Sequence, residues 1–150
     1  MENLERVITE HPFSKGLESS YVDLLIGCAS NARFQAGHHL FREGGEAKHF
    51  YLIREGTVAL EVATPQSRMV METVTEGEVL GWSWLVAPYR WRFSARAVGP
   101  VRAIALDGKC LRTKCEKNHD LGYEMLKRTV DIVGRRLEST RFRLLDLYAA

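Results

Sequence analysis

The sequence predicts a mainly β fold, a roll of short antiparallel strands with helices at both ends. Between residues 32 and 106, short runs rich in β-branched and aromatic residues alternate with turn residues at a spacing of roughly ten. Before and after this region the apolar residues recur at helical spacing. Hydrophobic content of 45% and charged content of 27% are ordinary for a globular domain. These features indicate a sandwich, jelly roll or barrel.

The N-terminal segment predicts two helices. A short helix is expected over Leu4–Glu10, because the His-Pro pair that follows disfavours helical backbone. A second helix is expected over residues 20–28, with Ser19 or Ser20 as its N-cap.

Eight short strands follow. Tyr51 and Ile53 alternate with Phe50 and Leu52, so the centre of that strand is apolar on both faces. Gly44-Gly45 and Gly56 flank it as turn residues that tolerate positive φ. The expected strands are Ala32–Gln35, His39–Arg42, Phe50–Ile53, Val58–Val62, Arg68–Val74, Glu78–Leu80, Arg92–Val98 and Val101–Leu106.

Two helices are expected after the last strand. Asp107 is a suitable N-cap for a short helix to about Lys117, and a long helix runs from about Asp120 to Leu147. This helix has more apolar surface than a small roll would cover. Pairing with the same helix of a second subunit would bury it, and packing within one chain is the alternative. Its two stripes are Leu121, Met125 and Ile132, and Leu126, Val130, Val133, Leu137 and Leu144.

The chain is expected to be one domain in three parts, with helices in 1–30, a β-roll in 31–106 and helices in 107–150. No apolar run is long enough to span a membrane, and the N-terminus has no signal-peptide pattern, so a cytoplasmic location is expected. The three cysteines, Cys28, Cys110 and Cys115, are expected to be reduced; a redox role is the alternative.

Charge is uneven along the chain, although the net charge is only +2. Residues 79–106 contain no acid but include Arg90, Arg92, Arg96 and Arg102. Such a stretch favours an anionic ligand or partner, and a solvated basic strand edge is an equal alternative.

One string carries a family resemblance. The pattern G-E-x-A-x-x-x-Y-x-I-x-x-G-x-V resembles the opening of the cyclic-nucleotide-binding domain in the catabolite-activator/FNR (Crp/Fnr) family. The resemblance implies a double-stranded β-helix, or jelly roll, of the cyclic-nucleotide-binding type. It also implies a non-enzymatic sensor that binds a small anionic ligand in the roll and signals through the long helix. The matching residues are Gly45, Glu46, Ala47, Tyr51, Ile53, Gly56 and Val58.

The long helix extends the resemblance. Arg135-Arg136-Leu137 and Thr140 are similar to the R-R-L-x-x-T segment of the family's dimer helix. This implies a homodimer through residues 120–147, with Thr140 near the base of a bound nucleotide. The sequence ends at Ala150, about where the family's hinge precedes a helix-turn-helix. We therefore expect the sensor half, with a protein partner rather than direct DNA binding.

The family's phosphate-binding segment, F-G-E-[LI]-[AG] followed by R-[ST]-A, is altered here. Gly81 is retained, Ser83 lies in the same turn, and Trp82 stands where the family has glutamate. An indole N–H only donates, so Trp82 cannot accept a ribose hydroxyl. Cyclic AMP or cyclic GMP is thus an implied ligand that Trp82 argues against.

The phosphate-pairing position is ambiguous. Counting forward from Gly81 places Arg92 there, whereas counting back from Arg96 places Trp91. If the arginines face inward an anion site survives, and if the aromatics do the cavity is filled or apolar. The sequence slightly favours Arg92. The candidate ligand-binding residues are Gly81, Trp82, Ser83, Trp91, Arg92, Phe93, Ser94 and Thr140.

Two other functions stay open. The aromatic cluster of residues 82–93 could be the core or the contact surface of a protein-interaction module with a degenerate pocket. A cupin-like metalloenzyme is disfavoured, because His38 and His39 are adjacent and point to opposite faces of a strand. No metal site and no catalytic residue is predicted.

Overall fold

Eight strands in two antiparallel sheets form the centre of the protein. The structure, a computed structural model, describes residues 3–149. Sheet A has the strand order β1-β8-β3-β6 and sheet B the order β2-β7-β4-β5. The β-rich fold predicted from the sequence is therefore confirmed. The strands are β1 Ala29–Phe34, β2 His39–Phe41, β3 His49–Glu55, β4 Val58–Ala63, β5 Arg68–Val74, β6 Val79–Leu80, β7 Ser94–Ala97 and β8 Val101–Asp107.

The helices lie at both ends of the chain. They are α1 Leu4–Glu10, α2 Ser19–Ile26, α3 Gly108–Lys117 and α4 His119–Ala149, with a short 3₁₀ helix at Trp82–Trp84. The Asp107 Oδ1 atom accepts a hydrogen bond from the Cys110 amide at 2.8 Å, which confirms the predicted cap of α3. The N-cap expected at Ser19 or Ser20 was wrong, because α2 begins at Ser19 after Glu18, which forms no side-chain cap.

Strand β3 explains why both faces of its sequence are apolar. It lies between β8 and β6 in sheet A, and its residues Phe50 to Ile53 are all buried. Tyr51 and Ile53 face the core between the sheets. On the other face Phe50 meets the Phe13 ring edge-on, with ring centroids 5.0 Å apart. The N-terminal segment thus covers the outer side of sheet A, and the roll has an inner and an outer apolar layer.

Four predicted strands begin at other residues, and for β3 and β6 the difference is a single residue. β1 begins at Ala29, because it pairs with β8 along the register Ala29 to Leu106. β7 begins at Ser94 and not at Arg92, because the segment before it turns away to bond the 44–47 turn. Pairing between strands, which a single strand's sequence does not contain, determines these ends.

The turn glycines differ in role. Gly44 has φ of 85° and Gly56 has φ of 100°, as expected for turn positions. Gly45, predicted to share this conformation, has no positive φ; a Cβ there would lie 3.1 Å from the Arg42 carbonyl oxygen. Gly45 is therefore needed for close packing and not for backbone conformation.

The cysteines differ from expectation. Cys28 and Cys110 form a disulfide, with Cα atoms 5.8 Å apart and a separation of 82 positions in sequence. The pairing of β1 with β8 brings the start of β1 beside the first turn of α3, and so brings these cysteines together. Cys115 is free, and burial, followed by the charge of Glu116, raises the pKa of its thiol. The expectation of three reduced thiols was wrong for two of them.

The chain divides into two compact units, one reaching to Thr113 and the other beginning at Lys114. The first contains both sheets and the core between them. In the second, Leu121 and Met125 are buried, whereas most apolar residues of α4 after Leu126 are exposed. Within residues 3–149, we find no helix with the length and apolar character that crossing a bilayer requires.

Candidate functional site

The turn after β6 is built around Gly81. Gly81 has φ of 92° and stands at the N-terminus of the Trp82–Trp84 helix. A Cβ at this position would lie 2.5 Å from the ring of Trp91. Glycine is therefore required for two reasons: its backbone conformation is left-handed, and an aromatic ring lies against it. The space beside this turn is filled by Trp91.

Trp91 is the side chain that determines the orientation of its segment. It is only 4% exposed and stacks on Phe41, with ring centroids 3.6 Å apart and ring planes 10° apart. Its amide donates to the Gly45 carbonyl at 2.9 Å, and its carbonyl accepts from the Gly44 amide at 2.8 Å. The sequence left two orientations open, and in the structure the aromatic side chain is the one that faces inward.

Arg92 is exposed, so the neighbouring arginine points away from the core. Its guanidinium lies 5.6 Å from the centroid of the half-buried Trp82 ring, within reach of a cation–π contact. Phe93 is partly buried against the core, 5.6 Å from Phe41 between centroids. The Oγ atom of Ser94 accepts a hydrogen bond from the Glu43 amide at 2.9 Å. A role for Arg92 in holding an anion stays a prediction.

A cavity of about 350 Å³ lies beside Trp91. This volume is at the small end of the range for ligand pockets. Its floor is buried and apolar, with Leu40, Phe41, Tyr51 and Trp91. Its remaining lining is polar, and consists of Arg42, Gly45, Glu46, Lys48 and His49.

The rim of the cavity favours an anion. Arg42 and Lys48 are exposed cations, and Glu46 is the only carboxylate among the lining residues. Within residues 3–149 neither Arg42 nor Lys48 forms an ion pair. On the floor, burial raises the pKa of Tyr51 to about 12, so its hydroxyl stays protonated. The cavity thus combines aromatic faces with unpaired positive charge.

A second set of contacts joins the segment after Gly81 to α3. The Arg112 guanidinium donates to the Trp84 carbonyl at 2.6 Å and lies 4.0 Å from the centroid of the Tyr89 ring. The Tyr89 carbonyl in turn accepts from the Ala47 amide at 2.7 Å. Ser83, which directly precedes Trp84, is buried. Arg112 therefore ties the segment before Trp91 to the helix that follows the roll.

Six of the eight candidate residues fall into three groups. Gly81 packs against Trp91, and Trp91 and Phe93 both contact Phe41, whereas Trp82 and Arg92 form a separate pair at the surface. Thr140 lies in the second unit, exposed on α4, where its hydroxyl donates to the Arg136 carbonyl at 2.9 Å.

Sequence reasoning missed most of the cavity lining. Glu46 and Tyr51 were noted only as members of the motif, and the polar faces of Arg42, Lys48 and His49 gave no signal of their own. The alternation of β3 could have paired His49 with Tyr51 on one face. Arg112 was also missed. Among residues 3–149, no three His, Cys, Asp or Glu side chains converge in a way that would hold a metal ion.

Comparison with known proteins identifies the family. The sequence model of the cyclic nucleotide-binding domain matches residues 32–118, more than half of the chain. The chain belongs to the cyclic nucleotide-binding domain family. The match begins within β1 and ends after α3, so it covers the roll from residue 32 onward and every residue that lines the cavity.

Solved structures of this family have the same fold. A protein from Geobacter metallireducens, described as cyclic nucleotide-binding, is similar at 28% identity with a TM-score of 0.81, over 91% of this chain and 99% of that chain. A cyclic nucleotide-binding domain from Methylobacillus flagellatus gives 18% identity and a TM-score of 0.83, over 95% and 83% of the two chains.

The sensor domain of the transcriptional regulator DNR from Pseudomonas aeruginosa is also similar. It gives 19% identity and a TM-score of 0.71, over 89% of this chain and 93% of that chain. Among curated proteins, none matches the sequence. The predicted membership of the cyclic nucleotide-binding domain family is confirmed.

Proposed function

We propose that this cyclic nucleotide-binding domain is a non-enzymatic sensor that binds a small anionic ligand in the cavity beside Trp91. The observation that carries the proposal is the combination of Phe41, Tyr51 and Trp91 on the floor with the cations Arg42 and Lys48 on the rim. A flat ligand with a negative group could stack on the floor and pair with the rim. Nucleotides have both features and are the first class to test.

The placement of Trp91 argues for a changed binding mode. The family resemblance implies that the turn after Gly81 would hold the phosphate. In this protein the Trp91 ring fills the space beside Gly81. Trp82 supplies no acceptor for a ribose hydroxyl. The anionic group is therefore expected to meet the cavity rim, and the ligand to enter from the side of the 44–48 turn.

The proposed signal passes through the segment that ends at Trp91. This segment is bonded to the cavity turn at Gly44 and Gly45, and Arg112 bonds its earlier part to α3. A ligand that displaces Trp91 would change the contacts of Arg112, and α3 leads along the chain into α4. Coupling then follows from the different ligand affinities of the two arrangements.

The proposed output is a homodimer through α4 that a protein partner recognises. The exposed apolar residues of α4 recur at alternating spacings of four and three, the pattern of a coiled-coil seam, and Thr140 occupies one position in it. An exposed stripe of this kind is typical of an interaction surface. The stripe consists of Leu126, Val130, Val133, Leu137, Leu144 and Leu147.

A second candidate is a protein-interaction module whose ligand site is lost. The observation in its favour is the filled turn at Gly81, where the resemblance implies that phosphate would bind. In that case α4 and the aromatic segment would bind partners without a small ligand, and no nucleotide would stabilise the roll.

Titration calorimetry with cyclic AMP and cyclic GMP tests the proposal, with thermal unfolding as a second readout. If the cavity is the site, Lys48→Gln is expected to weaken binding by about tenfold, the effect of one lost charge-assisted contact. Arg92→Ala is the matched control, and should leave affinity unchanged. Loss of binding in Arg92→Ala alone would move the site to the surface pair, and no binding of either nucleotide would favour the interaction module.

A further inference from the structure

The outer face of sheet B carries a charged cluster that the cavity does not include. In β4, Val58 and Leu60 point into the core, and in β7 Ala95 and Ala97 do. Because side chains alternate along a strand, Glu61 and Arg96 lie on the opposite face. Arg96 Nε donates to Glu61 Oε2 at 3.3 Å across the two central strands.

The two edge strands complete the cluster. Arg68 of β5 contacts His39 of β2, with its Nη1 atom 3.3 Å from His39 Nε2. In the strand order β2-β7-β4-β5, this contact spans the sheet from one edge to the other. Each of the four strands therefore contributes one member, and the members are His39, Arg96, Glu61 and Arg68.

Glu61 is enclosed and only half satisfied. The residue is 6% exposed, and its Oε1 atom is buried without a hydrogen-bond partner among residues 3–149. A buried acceptor that lacks a donor costs about 1–3 kcal/mol, and more when it is charged. A ligand that donates a hydrogen bond to Glu61 Oε1 would therefore be stabilised at this site.

The same site has an excess of positive charge. Burial, and then the charges of Arg42 and Arg68, lower the pKa of His39, and Arg96 acts in the same direction. Glu61 acts in the opposite direction and raises the pKa of His39, so one carboxylate acts there against three arginines, of which Arg42 also lines the cavity. His39 is thus neutral at neutral pH and accepts from Arg68. The excess of positive charge around His39 favours the binding of an anion.

We propose that this cluster is a binding site for hydrogenphosphate. This ion offers oxygen acceptors for the guanidinium groups of Arg68 and Arg96, and an O–H that donates to the orphan Oε1 atom of Glu61. One small ion thereby meets both requirements. A water molecule could donate to Glu61, but it would leave the excess positive charge without a counterion.

The carboxylate makes the site selective for one protonation state. Sulfate has no O–H near neutral pH, so it would face Glu61 acceptor to acceptor. A phosphate monoester, with a second pKa of about 6, loses its O–H at about pH 8, whereas hydrogenphosphate keeps one there. A phosphodiester such as cyclic AMP has none. The site therefore differs in ligand from the cavity beside Trp91, and Arg42 lies at the border of the two.

The ion can enter by a side-chain movement. Arg68 is exposed, and its contact with His39 covers the sheet between the edge strands. Rotation of this flexible side chain would admit the ion, and its guanidinium would then close on it.

Titration calorimetry of the full chain at about pH 8 with inorganic phosphate, sulfate and glycerol 3-phosphate tests the proposal. Phosphate is expected to bind at least about tenfold more tightly than the other two, the factor that one hydrogen bond to a charged group gives. Arg68→Gln should weaken phosphate by a similar factor. Arg33→Gln, an exposed arginine of sheet A, is the matched control and should have no effect.

Glu61→Gln examines the selectivity itself. The amide has the shape of the carboxylate but can donate, so sulfate should bind this variant nearly as well as phosphate does. Binding of all three ions with equal affinity to the natural protein would overturn the role of Glu61. No phosphate binding, or binding that Arg68→Gln and Glu61→Gln leave unchanged, would overturn the site. Circular dichroism and thermal unfolding show whether each variant is folded.

Discussion

The β-roll and the long helix differ in how far their apolar side chains are buried. In the roll, Leu52 and Ile104 are fully buried. On α4, Val130 is 64% exposed and Leu137 is 50% exposed, although the helix is regular to Ala149. The roll therefore buries its own apolar side chains, whereas the helix has an apolar face that only another surface could cover. Sensing and signalling are expected to separate along the same division.

The largest expected effect comes from breaking the roll at Gly81. In Gly81→Ala the alanine would have to adopt a positive φ, and its Cβ would lie 2.5 Å from the Trp91 ring. We expect a loss of about 3 kcal/mol or more in the free energy of unfolding, because strain and overpacking add. Urea unfolding followed by circular dichroism measures it.

Gly37→Ala is the control for this change. Gly37 has φ of 84°, but a Cβ added there would meet nothing within 4 Å, so only the backbone cost of about 1 kcal/mol remains. Equal losses in the two variants would contradict the view that Trp91 packs against Gly81.

The second prediction concerns the exposed face of α4. Leu137→Asp places a charge in the apolar seam of the proposed dimer, and should convert a dimer to a monomer in sedimentation velocity. Because Leu137 is half exposed within one chain, the unfolding free energy of the roll should change by less than about 0.5 kcal/mol.

Leu145→Asp introduces the same charge outside the seam. Leu145 is 61% exposed and follows a seam position directly, so this variant should stay dimeric. A natural protein that sediments as a monomer at micromolar concentration would contradict the proposed pairing and leave α4 free for another partner.

The smallest expected effect is a pH dependence from His11. The His11 Nδ1 atom accepts from the Phe13 amide and Nε2 lies 3.0 Å from the Ile53 carbonyl, so the ring is neutral and Nε2 donates. Burial lowers the pKa of His11 below 6.5, although the bond to Ile53 opposes this shift. The unfolded chain therefore takes up the proton first as the pH falls below 6.5, and stability decreases there.

His11→Gln should flatten this decrease, at a cost of about 1 kcal/mol at neutral pH if the bond to Ile53 is lost. Urea unfolding of both proteins at several pH values above and below 6.5 measures the difference. His38→Gln, at an exposed histidine, should leave the slope unchanged. An identical slope in the natural protein and His11→Gln would rule out His11 as its source.

Much of the fold could be read from local sequence. Helix α1 and strand β5 have the predicted bounds, and the change of period after Leu106 predicted α3 and α4. These elements carry their own signals, which are capping residues, alternation and helical spacing. The start of β1 could not be predicted, because its first residues pair with β8, far away in sequence.

The candidate site was predictable only in part. The motif placed Gly81 and the aromatic segment at the site, but it could not decide between Arg92 and Trp91. The stack of Trp91 on Phe41 decides the orientation, because burying an indole face is favourable and burying an unpaired guanidinium is not. Phe41 lies in β2, far in sequence from the segment that carries Trp91, so its position depends on how the whole roll folds.

Local sequence was sufficient to identify the element types, the family motif and the apolar stripe of α4, because each depends on residues close in the chain. Long-range packing was needed to place a cavity beside Trp91, to join Cys28 with Cys110, and to enclose Glu61 beside arginines from neighbouring strands. These features join residues tens of positions apart, and strand register brings them together. Their chemistry therefore arises from packing, which local patterns do not encode.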